Sequence, residues 1–238
     1  MHSNLSYILI ALILSTGIMV AGNLVGNMHL RGLEYQRYVS VKGLAEREVD
    51  ADLAIWPFRI TIAEDDLNAL QKKLENDSRI IENFLSSSNF ETTEFSSGVA
   101  EIQDTQTYNY GSPNASNSPR YIARKDFTVR TPDIPKLHLA LKNISELVGK
   151  GIVLESKNQW QGVEYLFTGL NDIKPAMIEE ATKNAREAAQ KFAQDAGSKV
   201  GKIKSASQGL FTINDRDINT GYIKNVRIVT TIDFYLED

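Results

Sequence analysis

The stretch Asn225-Val-Arg-Ile-Val-Thr-Thr-Ile-Asp-Phe-Tyr-Leu236 alternates without interruption, with Val226, Ile228, Thr230, Ile232, Phe234 and Leu236 on one side. Successive side chains of an extended backbone point to opposite faces, so this period of two reads as a strand with one face on a core. A slip of one residue would carry the whole apolar set to solvent, so its register is strongly specified. Upstream the period changes to that of a helix. Pro175 suits a first turn, Met177, Ala181, Ala185, Ala188, Phe192 and Ala196 recur at spacings of four and three, and Gly197 supplies a left-handed terminator. An alanine-rich face lets a helix lie close on a sheet. Lys202 to Ile213 and a polar turn connect the two elements.

Toward the N-terminus, Tyr38 to Val49 sets Val39, Val41, Gly43 and Ala45 against Ser40, Lys42, Leu44 and Glu46, again the pattern of a half-buried strand. A second strand over Ala51 to Ala63 contains Pro57, which predicts a bulge or an edge position because proline brings no ladder donor. A helix follows with Leu67, Leu70, Leu74, Ile81 and Phe84 or Leu85 on one face, Asp65 and Asp66 at its positive end, and Ser86 to Asn89 as its stop. Strands over Phe90–Gln103 and Arg120–Thr131 flank Asp104–Pro119, a polar stretch read as an exposed excursion. Asp133 is the expected cap of a middle helix whose stripe is Leu137, Leu141, Ile144 and Val148, ended by Gly149, and strands over Ile152–Thr168 come next. The expected fold is therefore α+β. Two strand–helix–strand–strand units, residues 51–131 and 152–236, are joined by the middle helix, a duplication of element order rather than of sequence.

Leu5 to Val25 carries no charged side chain and is long enough for a helix to cross a hydrocarbon core of about 30 Å. A cleaved signal would have a basic start and a small-x-small exit, whereas only His2 and the amino terminus precede the run and Val20-Ala21-Gly22 is a poor match. A core helix would retain a polar stripe. The expected organisation is a transmembrane anchor or uncleaved signal over 1–27, a neck over 28–37 and a domain over 38–238. Arg31, Arg37 and Lys42 follow the span, so a positive-inside count would leave the body in the cytoplasm, but long domains translocate largely regardless of charge and the side stays open.

The chain has 238 residues, 42% hydrophobic and 24% charged, which excludes a mainly disordered protein. A net charge of −4, with Lys and Arg scattered rather than gathered in blocks, excludes nucleic acid as a partner. With no cysteine there is no disulfide, thiolate metal site or thiol nucleophile. No nucleophile elbow, phosphate-binding glycine loop, dinucleotide fingerprint or zinc helix occurs. The only imidazoles are His2, His29 and His138, too scattered for a metal site, and His138 reads as an ordinary surface histidine. Asp215-Arg-Asp217-Ile-Asn219-Thr-Gly221 begins like a calcium loop, but its glycine falls one residue late and Val226 stands where a closing Glu is needed. A polar hairpin turn is expected instead. Glu179-Glu180, Glu46 with Glu48, and Asp65-Asp66 read as solvated carboxylates. These readings lead to no catalytic residue, no cofactor and no metal. Trp56 and Trp160 are expected in a core, whereas Tyr108 and Tyr110, set in the polar excursion, are the candidate partner contact.

Three segments carry a family resemblance. Tyr38-Val-Ser-Val-Lys-Gly-Leu-Ala-Glu-Arg-Glu-Val-Asp-Ala-Asp-Leu-Ala-Ile-Trp56, Ala181-Thr-Lys-Asn-Ala-Arg-Glu-Ala-Ala-Gln-Lys-Phe-Ala193 and Lys224 to Asp238, in this order and spacing, resemble the SIMPL-domain family. The resemblance runs from about residue 38 to the C-terminus. It implies a bacterial protein of the periplasm, held there by its N-terminal segment, and so it supplies the side that charge left open. The family's biochemical role is unsettled and it brings no established catalytic set, so none is carried over and a non-enzymatic role is expected; some members are associated with oxidative-stress protection and some form ring- or channel-like homo-oligomers. The expectation is a single-pass inner-membrane protein, anchored through residues 5–25, that self-associates in envelope homeostasis or stress tolerance. The alternatives are an adaptor holding another envelope protein through Asp104–Pro119, and a hydrolase whose carboxylates meet only in the fold.

Overall fold

The computed structural model describes residues 12, 14–24, 37–108, 119–156 and 162–237. The elements in chain order are α1 (14–24), β1 (Tyr38–Asp50), β2 (Leu53–Glu64), α2 (Leu67–Ser87), β3 (Phe95–Ser97), β4 (Glu101–Asp104), α3 (Thr105–Tyr108) and β5 (Tyr121–Thr131). They continue with α4 (Ile134–Lys142), α5 (Ser145–Gly149), β6 (Leu154–Ser156), β7 (Glu164–Leu166), α6 (Leu170–Asp195), β8 (Lys199–Gln208), β9 (Thr212–Asp215) and β10 (Ile223–Glu237). This is a mixed α+β protein with antiparallel sheets, as the patterning predicts. It divides into two compact units, one of residues 1–47, 171–212 and 226–238, the other of residues 48–170 and 213–225.

In the second of these units the sheet is built on β2 and β5, whose register runs unbroken from Ala54↔Thr131 to Glu64↔Tyr121. Short strands flank the pair, β3 and β4 along β5, and β7 and β6 along β2. Pro57 causes no bulge, contrary to one reading of it. The outer neighbours of β2 instead leave an interval at Trp56 and Pro57, β7 pairing with Leu53–Ile55 and β6 with Phe58–Ile60. The residue without a donor therefore stands where, among the described residues, the outer ladder is interrupted. Trp56, Phe58 and Phe127 fill the core, the two phenylalanine rings stacked 5.4 Å apart.

Helix α2 packs through Leu70, Leu74, Ile81, Phe84 and Leu85, while Leu67 lies at its first turn and is exposed. Asp66 is its cap, accepting from the Ala69 N–H at 2.8 Å, but Asp65 turns away to accept from the Arg120 N–H. Loss of this cap, in Asp66→Ala, is expected to cost about 1 kcal/mol by urea unfolding. Asp133 caps α4 as expected, accepting from the Lys136 N–H at 2.9 Å. The middle helix is broken at Asn143–Ile144, however, and the break resets its phase: Leu147 is buried and Val148 is exposed, although periodicity places Val148 on the stripe. The strand expected over 90–103 is likewise two short strands, each pairing with its own part of β5.

The other unit contains β1, β10 and β8 in that order, with α6. The alternations read in β1 and β10 are both realised, with Val41, Gly43 and Ala45 buried in one and Val226, Ile228, Thr230, Ile232 and Phe234 in the other. Strand–helix–strand–strand describes this unit too, but its leading strand is β1. The segment 152–168, expected in that role, supplies β6 and β7 to the other sheet. Helix α6 begins before Pro175, which lies inside it rather than in its first turn. Its buried row is Met177, Ala181, Ala185, Ala189 and Ala193, each four residues from the last, and Phe192 is 61% exposed. A strict i+4 row is inclined to the helix axis, whereas mixed spacings follow the axis, so the row that meets the twisted sheet excludes Ala196 and Phe192. Gly197, at φ 68°, ends the helix as predicted, with the Ser198 N–H donating to the Ala193 carbonyl.

Among the described residues no helix is long and apolar enough to cross a membrane. The expected span over 5–25 lies partly outside the described residues. Its described portion, α1, is helical, and its apolar side chains, Leu14, Ile18 and Met19 among them, are exposed.

Candidate functional site

Between β9 and β10 the chain turns on Asp217. Its carboxylate accepts from the N–H groups of Asn219 and Thr220, each at 2.9 Å, from the Thr220 hydroxyl, and from Arg216 Nε at 3.2 Å. The Thr220 hydroxyl and the Asn219 N–H, ahead of the other bonds, hold its pKa down at about 2. This is an Asx-stabilised turn, and the Asp217 carboxylate, a would-be ligand of the calcium-like loop, is consumed in fixing it. The hairpin reading of Asp215–Gly221 therefore stands. Among the described residues no cluster of three His, Cys, Asp or Glu side chains could hold a metal ion.

The turn delivers Tyr222 and Lys224 to one side of a cleft. Lys224 is buried, and its ammonium group is paired with Asp215, which stays 56% exposed. Tyr222 is fixed through its backbone, its carbonyl accepting from the Ala51 N–H at 2.8 Å. The facing wall comes from β7, where pairing with Ala54 sets Tyr165, and from α4, which presents His138. His138 Nε2 and the Tyr165 hydroxyl are hydrogen-bonded at 2.8 Å. The rings of His138, Tyr165 and Tyr222 lie 5.2–6.1 Å apart, with planes 71–75° to one another. Burial, and then the neighbouring Tyr222, push the Tyr165 phenol above its ordinary pKa. Tyr165 is therefore a neutral phenol at physiological pH, a hydrogen-bonding group rather than a nucleophile. The cleft has a volume of about 590 Å³, and Glu164, Val163 and the exposed Ile218 are among the other residues at its lining. Half-buried rings and a phenol–imidazole pair in a cleft of this volume are the means of holding a small ligand.

The sequence reading treats His138 as an ordinary surface histidine. The structure corrects this, because the ring is half-buried and bonded to Tyr165. Tyr165, Tyr222, Asp215 and Lys224 escape a local reading because the cleft draws on three separated segments. The solvated carboxylates are where they were read to be, in surface ion pairs: Glu46 with Arg227, Glu48 with Arg216 and Glu180 with Arg47. Trp56 is buried as expected, and Trp160 lies outside the described residues. Of the candidate partner contacts, Tyr108 closes α3 and Tyr110 lies outside the described residues. The two ends of that excursion are joined, with the Thr105 N–H donating to the Arg120 carbonyl at 2.8 Å.

No match to a curated protein was found. Among solved structures, the one titled "Crystal structure of a hydrolase from Listeria innocua" is similar at 11% identity, over 81% of this chain and 91% of that one, with a TM-score of 0.21. A likeness that weak bears on neither fold nor activity. The sequence model of the family described as "SIMPL: Protein of unknown function (DUF541)" matches residues 39–222, well over half of the chain. The chain belongs to the SIMPL family.

Proposed function

We propose that this chain is a non-enzymatic SIMPL protein, held at the bacterial inner membrane by a single N-terminal span with its body in the periplasm, that self-associates in envelope homeostasis or oxidative-stress tolerance. The observation that carries the assembly is β8. It lies at the end of the order β1-β10-β8, and beyond Val200 and Gly201 every residue of it is exposed. An edge strand of this length offers a row of backbone donors and acceptors to a second strand. The anchor is supported by α1, where the hydroxyls of Ser15 and Thr16 donate back to the Leu12 carbonyl at 3.0 and 2.6 Å. Hydroxyls satisfied inside their own helix suit a surrounding that offers no water.

The test is light scattering on the full chain in detergent. A discrete multiple of the 26.6 kDa chain mass, reduced by Ile203→Glu on β8, is the expected result. A single-chain mass overturns the assembly, and release from membranes without detergent overturns the anchor.

A further inference from the structure

We propose that Tyr165 is a redox-active tyrosine, the phenol from which this chain gives up an electron to a small diffusible one-electron oxidant, with His138 taking the proton. The phenol is already joined to its base. The Tyr165 hydroxyl and His138 Nε2 are 2.8 Å apart, and His138 is the only imidazole among the described residues. With the ring proton on Nδ1, Nε2 is an acceptor and the phenol donates to it. Both partners stand on regular elements, since Tyr165 is paired in β7 with the buried Ala54 and His138 is carried by α4.

A phenol that loses an electron becomes a strong acid, so the electron leaves readily only where the proton can leave with it. Here the O–H bond of Tyr165 breaks as the electron departs. The oxidant is reduced by one electron, the proton moves along the existing hydrogen bond to Nε2, and a neutral phenoxyl radical is left facing an imidazolium. No heavy atom has to move, and the new Nε2–H donates back to the phenoxyl oxygen as a charge-assisted bond. A route through the phenolate is disfavoured, because burial and then Tyr222 hold the Tyr165 pKa above its ordinary value, and so the reaction leans on the base. Three further features single out this phenol. The chain has no cysteine, so no thiol competes as the site of oxidation. Trp56 is only 5% exposed, whereas Tyr165 lines a cleft of about 590 Å³ that admits a small oxidant. The ring of Tyr222 is centred 6.1 Å from that of Tyr165, so an electron lost from Tyr222 is readily replaced from the phenol that has the base.

The probe is the azide radical, generated by pulse radiolysis in a solution of the full chain in a non-ionic detergent, with the phenoxyl radical followed by its own absorption band. The persistent phenoxyl signal is expected to be largely lost in Tyr165→Phe, although the other eight of the nine tyrosines remain. His138→Gln is able to keep a hydrogen bond to Tyr165 but not to take its proton. It is expected to slow formation of the persistent radical about tenfold, the rate equivalent of one hydrogen bond of ordinary strength. A pair that serves packing alone would shift the melting temperature and leave both radical readouts unmoved. Undiminished phenoxyl signal in Tyr165→Phe, or a radical that forms in His138→Gln at the parent rate, overturns the proposal, and either variant decides it without the other.

Discussion

Replacing Gly43 by alanine is expected to destabilise the folded chain by about 3 kcal/mol or more, the upper range for forcing an atom into a filled interior. A Cβ at this position would lie far inside contact distance of the Ala181 carbonyl oxygen and stand 2.7 Å from the Ala185 nitrogen and 2.9 Å from the Ala181 carbonyl carbon. All three are helix backbone atoms, which cannot rotate aside as the end of a side chain can. Relief requires α6 to lift from β1, and lifting separates the buried row Ala181, Ala185 and Ala189 from its contacts, where even a 0.5–1 Å gap forfeits roughly a quarter to a half of the dispersion energy. It also stretches the bond from Asn184 Nδ2 to the Leu44 carbonyl, now 2.8 Å. Gly98→Ala is the matched control. There the nearest atoms to a new Cβ are 3.7 Å away, an ordinary contact, and the expected change is below about 1 kcal/mol. Urea unfolding followed by circular dichroism measures both, and a Gly43→Ala variant as stable as Gly98→Ala would refute the close approach of helix and strand.

Lys136→Met is expected to cost about 2–3 kcal/mol at pH 7, somewhat less than breaking a fully buried ion pair. Lys136 Nζ donates to both oxygens of Glu94, at 2.8 and 2.7 Å, and the two side chains are only 19% and 14% exposed. The Glu94 carboxylate also accepts from the Thr131 hydroxyl at 2.5 Å and from the Glu91 N–H at 2.9 Å. Burial alone would raise its pKa, but the bonds from Lys136, Thr131 and Glu91 together outweigh it and hold the pKa below the usual carboxylate value. A carboxylate whose folded pKa is depressed contributes stability that is present above its unfolded pKa, near 4.3 for Glu, and is lost as pH falls through the folded value. The parent chain should therefore lose this contribution below about pH 4. In Lys136→Met protonation of Glu94 removes the stranded charge, so the gap between variant and parent should narrow on acidification. Denaturant midpoints for both chains at pH 7 and pH 3.5 decide it, and an equal gap at the two pH values would show that the pair is not the cause.

What could be read from the sequence is what one segment states by itself. The alternations of β1 and β10, the cap Asp133, the acidic start of α2, the terminator Gly197 and the turn over Asp215–Gly221 all rest on residues within a few positions of one another. What could not be read depends on a partner. Nothing within Tyr38–Val49 says that its strand joins the sheet of β10, and nothing within 152–168 says that it joins that of β2. The phase of α6 is chosen by the sheet it meets, so Phe192 lost its place to Ala189 and Ala193. Val148 lost its place to Leu147 because two residues, Asn143 and Ile144, interrupt a helix that periodicity treats as continuous. The cleft is the extreme case. His138, Tyr165 and Tyr222 come from a helix, a three-residue strand and the end of a turn, and no spacing connects them. Tyr108 and Tyr110 drew notice only because aromatic residues stand out in a polar stretch.

The pairing of β1 with β10 also fixes an order of assembly. As the chain is made, β1 emerges before the rest of the body, yet its neighbour in the sheet is residues 223–237. The other sheet draws all its strands from residues 53–166, so its pairings can form while the remainder is still being synthesised. Closing the β1–β10 contact means bridging nearly the whole body, the kind of long-range contact that slows folding. Until then β1 is an unpaired strand with one apolar face, open to any other strand it meets. The first strand to appear is thus among the last to be protected, and that interval is when the chain is most exposed to pairing with the wrong partner.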